Sequence, residues 1–146
     1  MSRPRAYLVL GALVALMVAG AVAPAQADDG LRGRMLQKIN RVRVNHDLHR
    51  LKLNLRLSHD AHTHSRRMAA RNGIFHTSDL ASRVRPFGAT SWGENVAKAG
   101  TLRRTKVLWM HSSEHRYNML HASYRRAGVG VVSARGWLWV TVIFYG

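Results

Sequence analysis

Hydrophobic residues near the start of the chain recur at helical spacing. In LRGRMLQKINRVRVNHDL, residues 31–48, the apolar side chains of Leu31, Met35, Ile39 and Val42 follow one another at intervals of four, four and three. A stripe with this period lies on one face of an α-helix. The pattern therefore predicts a first helix over residues 31–48 with one side buried.

A second helix is predicted over residues 58–71. Ser58 is a candidate N-cap, and small and apolar residues follow from Ala61 at helical spacing. The pair Asn72-Gly73 is typical of a helix end. Residues 80–92 have no clear period and predict a loop.

The next segments are shorter. Residues 93–100 predict a strand at the edge of a sheet. Thr101 is a candidate cap for a third helix over residues 102–111. Ser112-Ser113 predicts a break, followed by a fourth helix over residues 114–121.

The C-terminal segment has a different pattern. β-Branched and aromatic residues lie on both sides of Ala134-Arg135-Gly136, which predicts a hairpin. The last strand, residues 137–145, is apolar at almost every position, so both of its faces should be covered by other elements. Helices on both sides of a small sheet define an α+β fold. Trp109, Trp137 and Trp139 are predicted to lie in its core.

The N-terminus has the pattern of an export signal. Two arginines precede an apolar run from Tyr7 to Ala23, and Ala25-Gln26-Ala27 is typical of a cleavage site. We expect a signal peptide over residues 1–27 and a single domain over residues 28–146; the alternative is an uncleaved anchor helix. The chain contains no cysteine, which excludes disulfides, thiol catalysis and cysteine-ligated zinc.

The chain is strongly basic. It has 23 lysines and arginines against 7 acidic residues, a formal net charge of +16, and loss of the leader would leave +14. Nineteen of the 23 are arginines, which suit phosphate and carboxylate partners. Because the charges are scattered, we expect weak attraction to anionic envelope polymers or lipids and only non-specific contact with nucleic acid. The pair Arg103-Arg104 in a first helical turn indicates either a partner-binding edge or a tolerated cost.

Residues 111–115 read HSSEH, which matches the H-x-x-E-H pattern of some zinc peptidases. That motif needs one continuous helix, whereas Ser112-Ser113 favours a break. No acidic residue follows Glu114 to serve as a third ligand. The sequence therefore does not predict a zinc peptidase, and His111 is expected to face solvent. The other histidines expected at the surface are His46, His49, His59, His62, His64 and His121.

Several short motifs follow one another across about 110 residues, in an order typical of one family. They are Ile39-Asn40 with Arg43, Phe75-His76-Thr77, Gly93-Glu94-Asn95-Val96, Trp109 with Ser112, His115-Arg116 with Asn118, and Gly128-Val129-Gly130-Val131. Together they resemble the CAP superfamily, also called SCP or cysteine-rich secretory protein, antigen 5 and pathogenesis-related-1 domains, in its cysteine-free bacterial form. The resemblance implies a three-layer α-β-α sandwich with a small antiparallel sheet covered by helices on both faces.

The resemblance also implies a cleft with two histidines and two acidic residues. Residue by residue, the matches are His76, Glu94 and His115, while the second acidic position is occupied by Ser112. The cleft residues predicted in this way are His76, Trp92, Glu94, Asn95, Ser112 and His115. His76 and His115, with Glu94 as a further candidate ligand, are expected to bind a divalent metal such as zinc. In the alternative, Glu94 accepts hydrogen bonds from the imidazoles and only ties three segments together.

Three functions follow from these features. The first is a secreted or envelope-associated, monomeric and non-catalytic binding module for a lipid, an envelope polymer or another anionic partner. The second is a metal-assisted hydrolase, a peptidase or nuclease, that uses His76, Glu94 and His115; the serine at position 112 weakens it. The third is a cationic protein that binds surfaces or nucleic acid by charge alone.

Overall fold

The computed structural model describes the backbone of residues 24–146 and the side chains of residues 28–146. The predicted leader, residues 1–27, lies outside these residues, apart from the backbone of its last four. The elements are α1 (Pro24–Val44), β1 (Lys52–Leu53), α2 (Leu55–Arg71), α3 (Leu80–Val84), a 3-10 turn (Arg85–Phe87), β2 (Trp92–Ala99), α4 (Leu102–Met110), α5 (Ser113–Leu120), β3 (Arg126–Ala134) and β4 (Trp137–Tyr145).

The four strands form one sheet in the order β1-β3-β4-β2. β3 and β4 pair antiparallel as the predicted hairpin, whose turn residues Arg135 and Gly136 have φ of 55° and 75°. Positive φ at both central residues is the geometry of a type I′ turn, which matches the twist of the strands. β2 pairs antiparallel with β4 and forms one edge, as predicted, and the two-residue β1 pairs parallel with β3 at the other.

Helices cover both faces of the sheet, which confirms the predicted α+β sandwich. The parallel pairing of β1 with β3 makes the sheet mixed, whereas an antiparallel sheet was expected. α1, α4 and α5 lie on one face, and α2 and α3 lie on the other. α2 approaches β3 closely because β3 carries glycine at positions 128 and 130. A Cβ placed on Gly130 would lie 2.2 Å from the carbonyl carbon of Ala61, so a side chain there would push the helix off the sheet.

Three predictions of element bounds are wrong. α1 spans Pro24–Val44 instead of residues 31–48, and the chain turns at Asp47, which has a φ of 56°. α2 begins three residues earlier than expected because Asn54 caps it, with its Oδ1 accepting from the Leu57 amide at 3.0 Å. Ser58 lies buried inside the helix, and its hydroxyl accepts from the Val129 amide. The predicted loop contains α3 and the 3-10 turn, which are too short to show a period. Thr101 caps α4 as predicted, with Oγ1 accepting from the Arg104 amide.

Arg43 is fully buried and ties α1 to the opposite end of the chain. Its guanidinium donates hydrogen bonds of 2.9 to 3.1 Å to the backbone carbonyls of His49, Met119, His121 and Tyr124. Burial and the charge of Arg125 lower the pKa of Arg43. The four carbonyl oxygens compensate the guanidinium for its loss of hydration. The side chain thereby links α1 to α5 and to the residues before β3.

Two of the three tryptophans predicted to be core residues are buried, namely Trp109 and Trp139. The prediction is wrong for Trp137, which is 45% exposed. Trp137 is the first residue after the hairpin turn, at the end of the sheet. The ammonium group of Lys98 lies 5.2 Å from its ring centroid and 4.8 Å from that of Trp139, so a cation partly covers both rings.

Candidate functional site

Glu94 lies at the centre of the candidate site. Its side chain is only 3% exposed, although β2 is an edge strand. Oε1 accepts from His76 Nδ1 at 2.8 Å and from the Thr77 amide at 2.9 Å, and Oε2 accepts from the Thr77 hydroxyl at 2.5 Å. One carboxylate thus fixes the segment after α2 against β2. The His76 ring remains 62% exposed, so its second nitrogen is accessible.

His115 belongs to the other helical layer. It follows the cap residue of α5, Ser112, whose hydroxyl lies 2.8 Å from His115 Nδ1. The ring also stacks on the buried Trp109, with centroids 6.3 Å apart and an angle of 16° between the planes. Burial, and then the charge of His76, lower the pKa of His115. The imidazole is therefore neutral at pH 7 and has a lone pair available for a ligand.

Asn95 holds α5 in place. Successive side chains of a strand point to opposite faces, so Asn95 faces α5 whereas Glu94 faces α2. Asn95 is fully buried, donates to the His115 carbonyl at 2.9 Å and accepts from Asn118 Nδ2 at 2.9 Å. A Cβ at Gly93 would lie 2.3 Å from Asn118 Oδ1. Asn95 therefore positions the helix that carries His115 and has no exposed surface for a ligand.

The structure thus brings the predicted residues to one edge of the sheet. His76 and His115 come from opposite layers, and a ligand shared by both would lie beside the free edge of β2. Trp92, which is 40% exposed, lies on the same face of β2 as Glu94, two residues earlier. Ser112 orients His115 and is not an acidic fourth member of the site.

The candidate metal ligands of the cleft are two imidazoles, those of His76 and His115. Within residues 28–146 no group of three or more His, Asp or Glu side chains is arranged to hold a metal. Both oxygens of Glu94 are engaged in hydrogen bonds, which suits a residue that orients a ligand rather than one that coordinates. His76 and His115 each have Nδ1 engaged by an oxygen, which leaves Nε2 for coordination.

The HSSEH segment does not form a peptidase helix. α4 ends at Met110 and α5 begins at Ser113, so the predicted break is confirmed. His111 is exposed and its Nδ1 lies 2.8 Å from the Val107 carbonyl, which agrees with the prediction of a solvent-facing residue.

The prediction of a surface position is wrong for His64. This residue is buried in α2, where its Nε2 lies 2.8 Å from the Phe75 carbonyl. Its neighbour His62 lies 3.0 Å from the Asp28 carboxylate and joins α2 to the start of α1. His62 and His64 differ in burial because helical residues two apart point in different directions.

Thr77 and Asn118 complete the site, although neither was among the predicted cleft residues. Thr77 supplies two of the three hydrogen bonds to Glu94. Asn118 donates to the Glu94 carbonyl at 3.2 Å and to Asn95 Oδ1. Both residues belong to the quoted motifs, Phe75-His76-Thr77 and the asparagine after His115-Arg116. Only their position in these motifs could have singled them out.

The comparison with known proteins agrees with this fold. The family model of CAP, the cysteine-rich secretory protein family, matches residues 36–144. The chain therefore belongs to the CAP family. No curated protein sequence matches the chain significantly.

The solved structures that are similar to this one include three bacterial proteins. An extracellular protein containing an SCP domain from Bacillus anthracis superposes with a TM-score of 0.70 and 25% identity, over 87% of this chain and 45% of that one. A Borrelia burgdorferi outer surface protein gives 0.69 and 17%, over 77% and 90%. A Staphylococcus aureus cysteine-rich secretory protein gives 0.68 and 22%, over 84% and 40%. The chain thus spans less than half the length of the Bacillus and Staphylococcus proteins.

Among the described residues, no helix has the length and apolar character needed to cross a bilayer.

Proposed function

We propose that this CAP domain is a non-catalytic binding module that acts outside the cell, and that His76 and His115 hold a divalent transition metal ion such as zinc. The orientation of the two imidazoles supports the proposal. Glu94 accepts a hydrogen bond from His76 Nδ1–H, which leaves Nε2 as the ring nitrogen that a metal can reach. Ser112 can do the same for His115 by accepting from Nδ1–H.

This arrangement suits two metal-ligating histidines, each with an oxygen atom that bonds its outer nitrogen. Carboxylates and hydroxyls that bond the outer nitrogen of a ligating histidine fix its tautomer and raise its basicity. A bound ion would supply a Lewis acid with open positions, which could take an anionic group of a partner. Binding of the metal would also connect the two helical layers across the edge of β2.

The second candidate function, a metal-assisted hydrolase, lacks a free base. A hydrolytic site needs a group that takes the proton from the attacking water. Glu94 is the acidic residue of the cleft, and its two oxygens already accept three hydrogen bonds. Ser112 occupies the other acidic position of the family pattern and is paired with His115. We therefore place binding ahead of catalysis.

Action outside the cell is supported by three observations. The N-terminal sequence is typical of an export signal. Two of the similar structures are an extracellular protein and an outer surface protein, both from bacteria. The net charge of +14 after loss of the leader favours association with anionic envelope polymers or lipids. The same charge underlies the third candidate, a protein that binds by charge alone.

Calorimetric titration of the purified protein with zinc tests the cleft. We expect saturable binding of about one metal per chain, lost in a His76→Ala/His115→Ala variant. A His46→Ala/His111→Ala variant is the matched control, because both residues are exposed and bond only a carbonyl in the preceding helical turn. Absence of binding in the wild type, or an equal loss in both variants, would contradict the proposal. Metal-dependent turnover of peptides or phosphodiesters would favour the hydrolase instead.

A further inference from the structure

A groove between α1 and α4 collects positive charge that is scattered in the sequence. It has a volume of about 400 Å³ and contains five basic side chains, a glutamine, an asparagine and a valine. The lining residues are Arg34, Gln37, Lys38, Arg41, Val42, Asn45, Arg103 and Lys106. No acidic side chain lines it, and none of the five cations forms an ion pair with any residue in the part of the chain described.

Helical spacing explains why the cations share one groove. Arg34, Lys38 and Arg41 lie at positions i, i+4 and i+7 of α1, and therefore form one stripe. Arg103 and Lys106 lie at i and i+3 of α4 and face the same space. The stripe on α1 is adjacent to the buried stripe of Met35 and Ile39, so the groove borders the core of the domain.

This arrangement carries an energetic cost in the free protein. Like charges three or four residues apart are neighbours on the surface of a helix and destabilise it. The cation of Arg103 also lies in the first turn of α4, where the helix dipole disfavours positive charge. An anion with several charges would relieve both penalties at once, whereas water and salt relieve them only in part.

We propose that the α1–α4 groove binds a linear polymer whose repeating units are linked by phosphate groups. The inference rests on the proposed function, since it locates the site for the anionic envelope partner. The α1 cations alone extend over about 10 Å along the helix axis, which is longer than one phosphate group. Cations on two facing walls match a narrow chain better than a flat bilayer surface, and arginine binds phosphate oxygens through two parallel hydrogen bonds.

The test compares two variants with equal loss of charge. Lys38→Gln/Arg41→Gln/Arg103→Gln removes three cations from the groove. Arg66→Gln/Arg85→Gln/Arg135→Gln removes three exposed arginines outside it. Binding of short linear inorganic polyphosphate is measured by fluorescence anisotropy over a range of salt concentrations. We expect the groove variant to bind polyphosphate at least tenfold more weakly than the variant outside the groove. The slope of log Kd against log salt concentration should also fall by about 2, as the loss of three phosphate contacts requires.

Each other outcome contradicts a defined part of the inference. Equal losses in the two variants would show binding by charge alone and overturn the groove. Orthophosphate that binds as tightly as polyphosphate would overturn the polymer. Binding to vesicles of phosphatidylglycerol without binding to polyphosphate would assign the groove to a membrane. If the wild type binds neither probe, the anionic partner in the proposed function fails together with the groove, while zinc binding by the cleft is tested separately.

Discussion

Replacement of Glu94 separates its electrostatic role from its role as a hydrogen-bond acceptor. In Glu94→Gln the amide oxygen can still accept from His76 and from the Thr77 amide, because both bonds end on Oε1. The new amide group then faces the Thr77 hydroxyl, which can rotate and accept. All three hydrogen bonds persist, but they lose the assistance of a charge, which roughly halves their strength. We expect a loss of about 1 kcal/mol in the free energy of unfolding.

Glu94→Ala removes all three bonds. The His76 ring is mostly exposed and recovers its bond from water, so it contributes little. The two bonds from Thr77 contribute about 1.5 kcal/mol each, since a charged acceptor lies at the upper part of the usual range. The expected loss is about 3 kcal/mol, which corresponds to a decrease of about 10 °C in Tm for a domain of this size.

Urea denaturation of the wild type and both variants, with and without zinc, measures these differences. A metal site predicts a second effect, because loss of the group that orients a ligating histidine weakens binding by about 10–100-fold. The stabilisation by zinc should therefore shrink in Glu94→Ala. If Glu94→Ala costs less than Glu94→Gln, or if both cost under about 0.5 kcal/mol, the carboxylate does not hold the segment after α2 in the way described.

Three further predictions concern the framework of the site. Folding lowers the pKa of His115 below 6.5. The unfolded chain therefore binds more protons than the folded protein below that pH, and the free energy of unfolding falls as the pH decreases. His115→Gln should flatten this pH dependence when denaturation curves at about pH 7.5 and about pH 5.5 are compared. Arg43→Met leaves four carbonyls without their donor and should cost about 3–5 kcal/mol in chemical denaturation, and an unchanged midpoint would contradict it. Gly130→Ala places a Cβ against the backbone of α2 and should cost at least about 2 kcal/mol. Gly100→Ala is the control, because nothing lies within 4 Å of a Cβ at that position.

Local sequence patterns predicted the elements whose signals are strong. The stripe from Leu31 to Val42, the cap at Thr101 and the hairpin at Arg135-Gly136 all occur in the structure. Each depends on neighbouring residues only. The start of α2 was wrong because Asn54 and Ser58 both satisfy the cap pattern. Only the pairing of β1 with β3, and the bond from the Val129 amide to Ser58, decide between them.

The candidate site depends on contacts between distant segments, which periodicity does not reveal. Nothing within the segment GEN indicates that Glu94 bonds Thr77 or that Asn95 bonds the His115 carbonyl. The family resemblance placed His76, Glu94 and His115 in one cleft, and the fold brings their segments to the same edge of the sheet. The prediction that Trp137 is a core residue was wrong. Trp137 and Trp139 are two apart on the same strand, but Trp137 lies at the end of the sheet and is exposed.

The edge position of β2 connects the stability of the fold with binding at the site. Its outer side has no strand neighbour in the described sheet, and Glu94 and Asn95 hold it from opposite faces instead. A ligand that bridges His76 and His115 would add one more connection between the two helical layers across this edge. Binding to the folded state alone stabilises a protein by RT ln(1 + [L]/Kd). An ion at 100 times its Kd would therefore raise the free energy of unfolding by about 2.7 kcal/mol, close to the contribution expected of the Glu94 carboxylate.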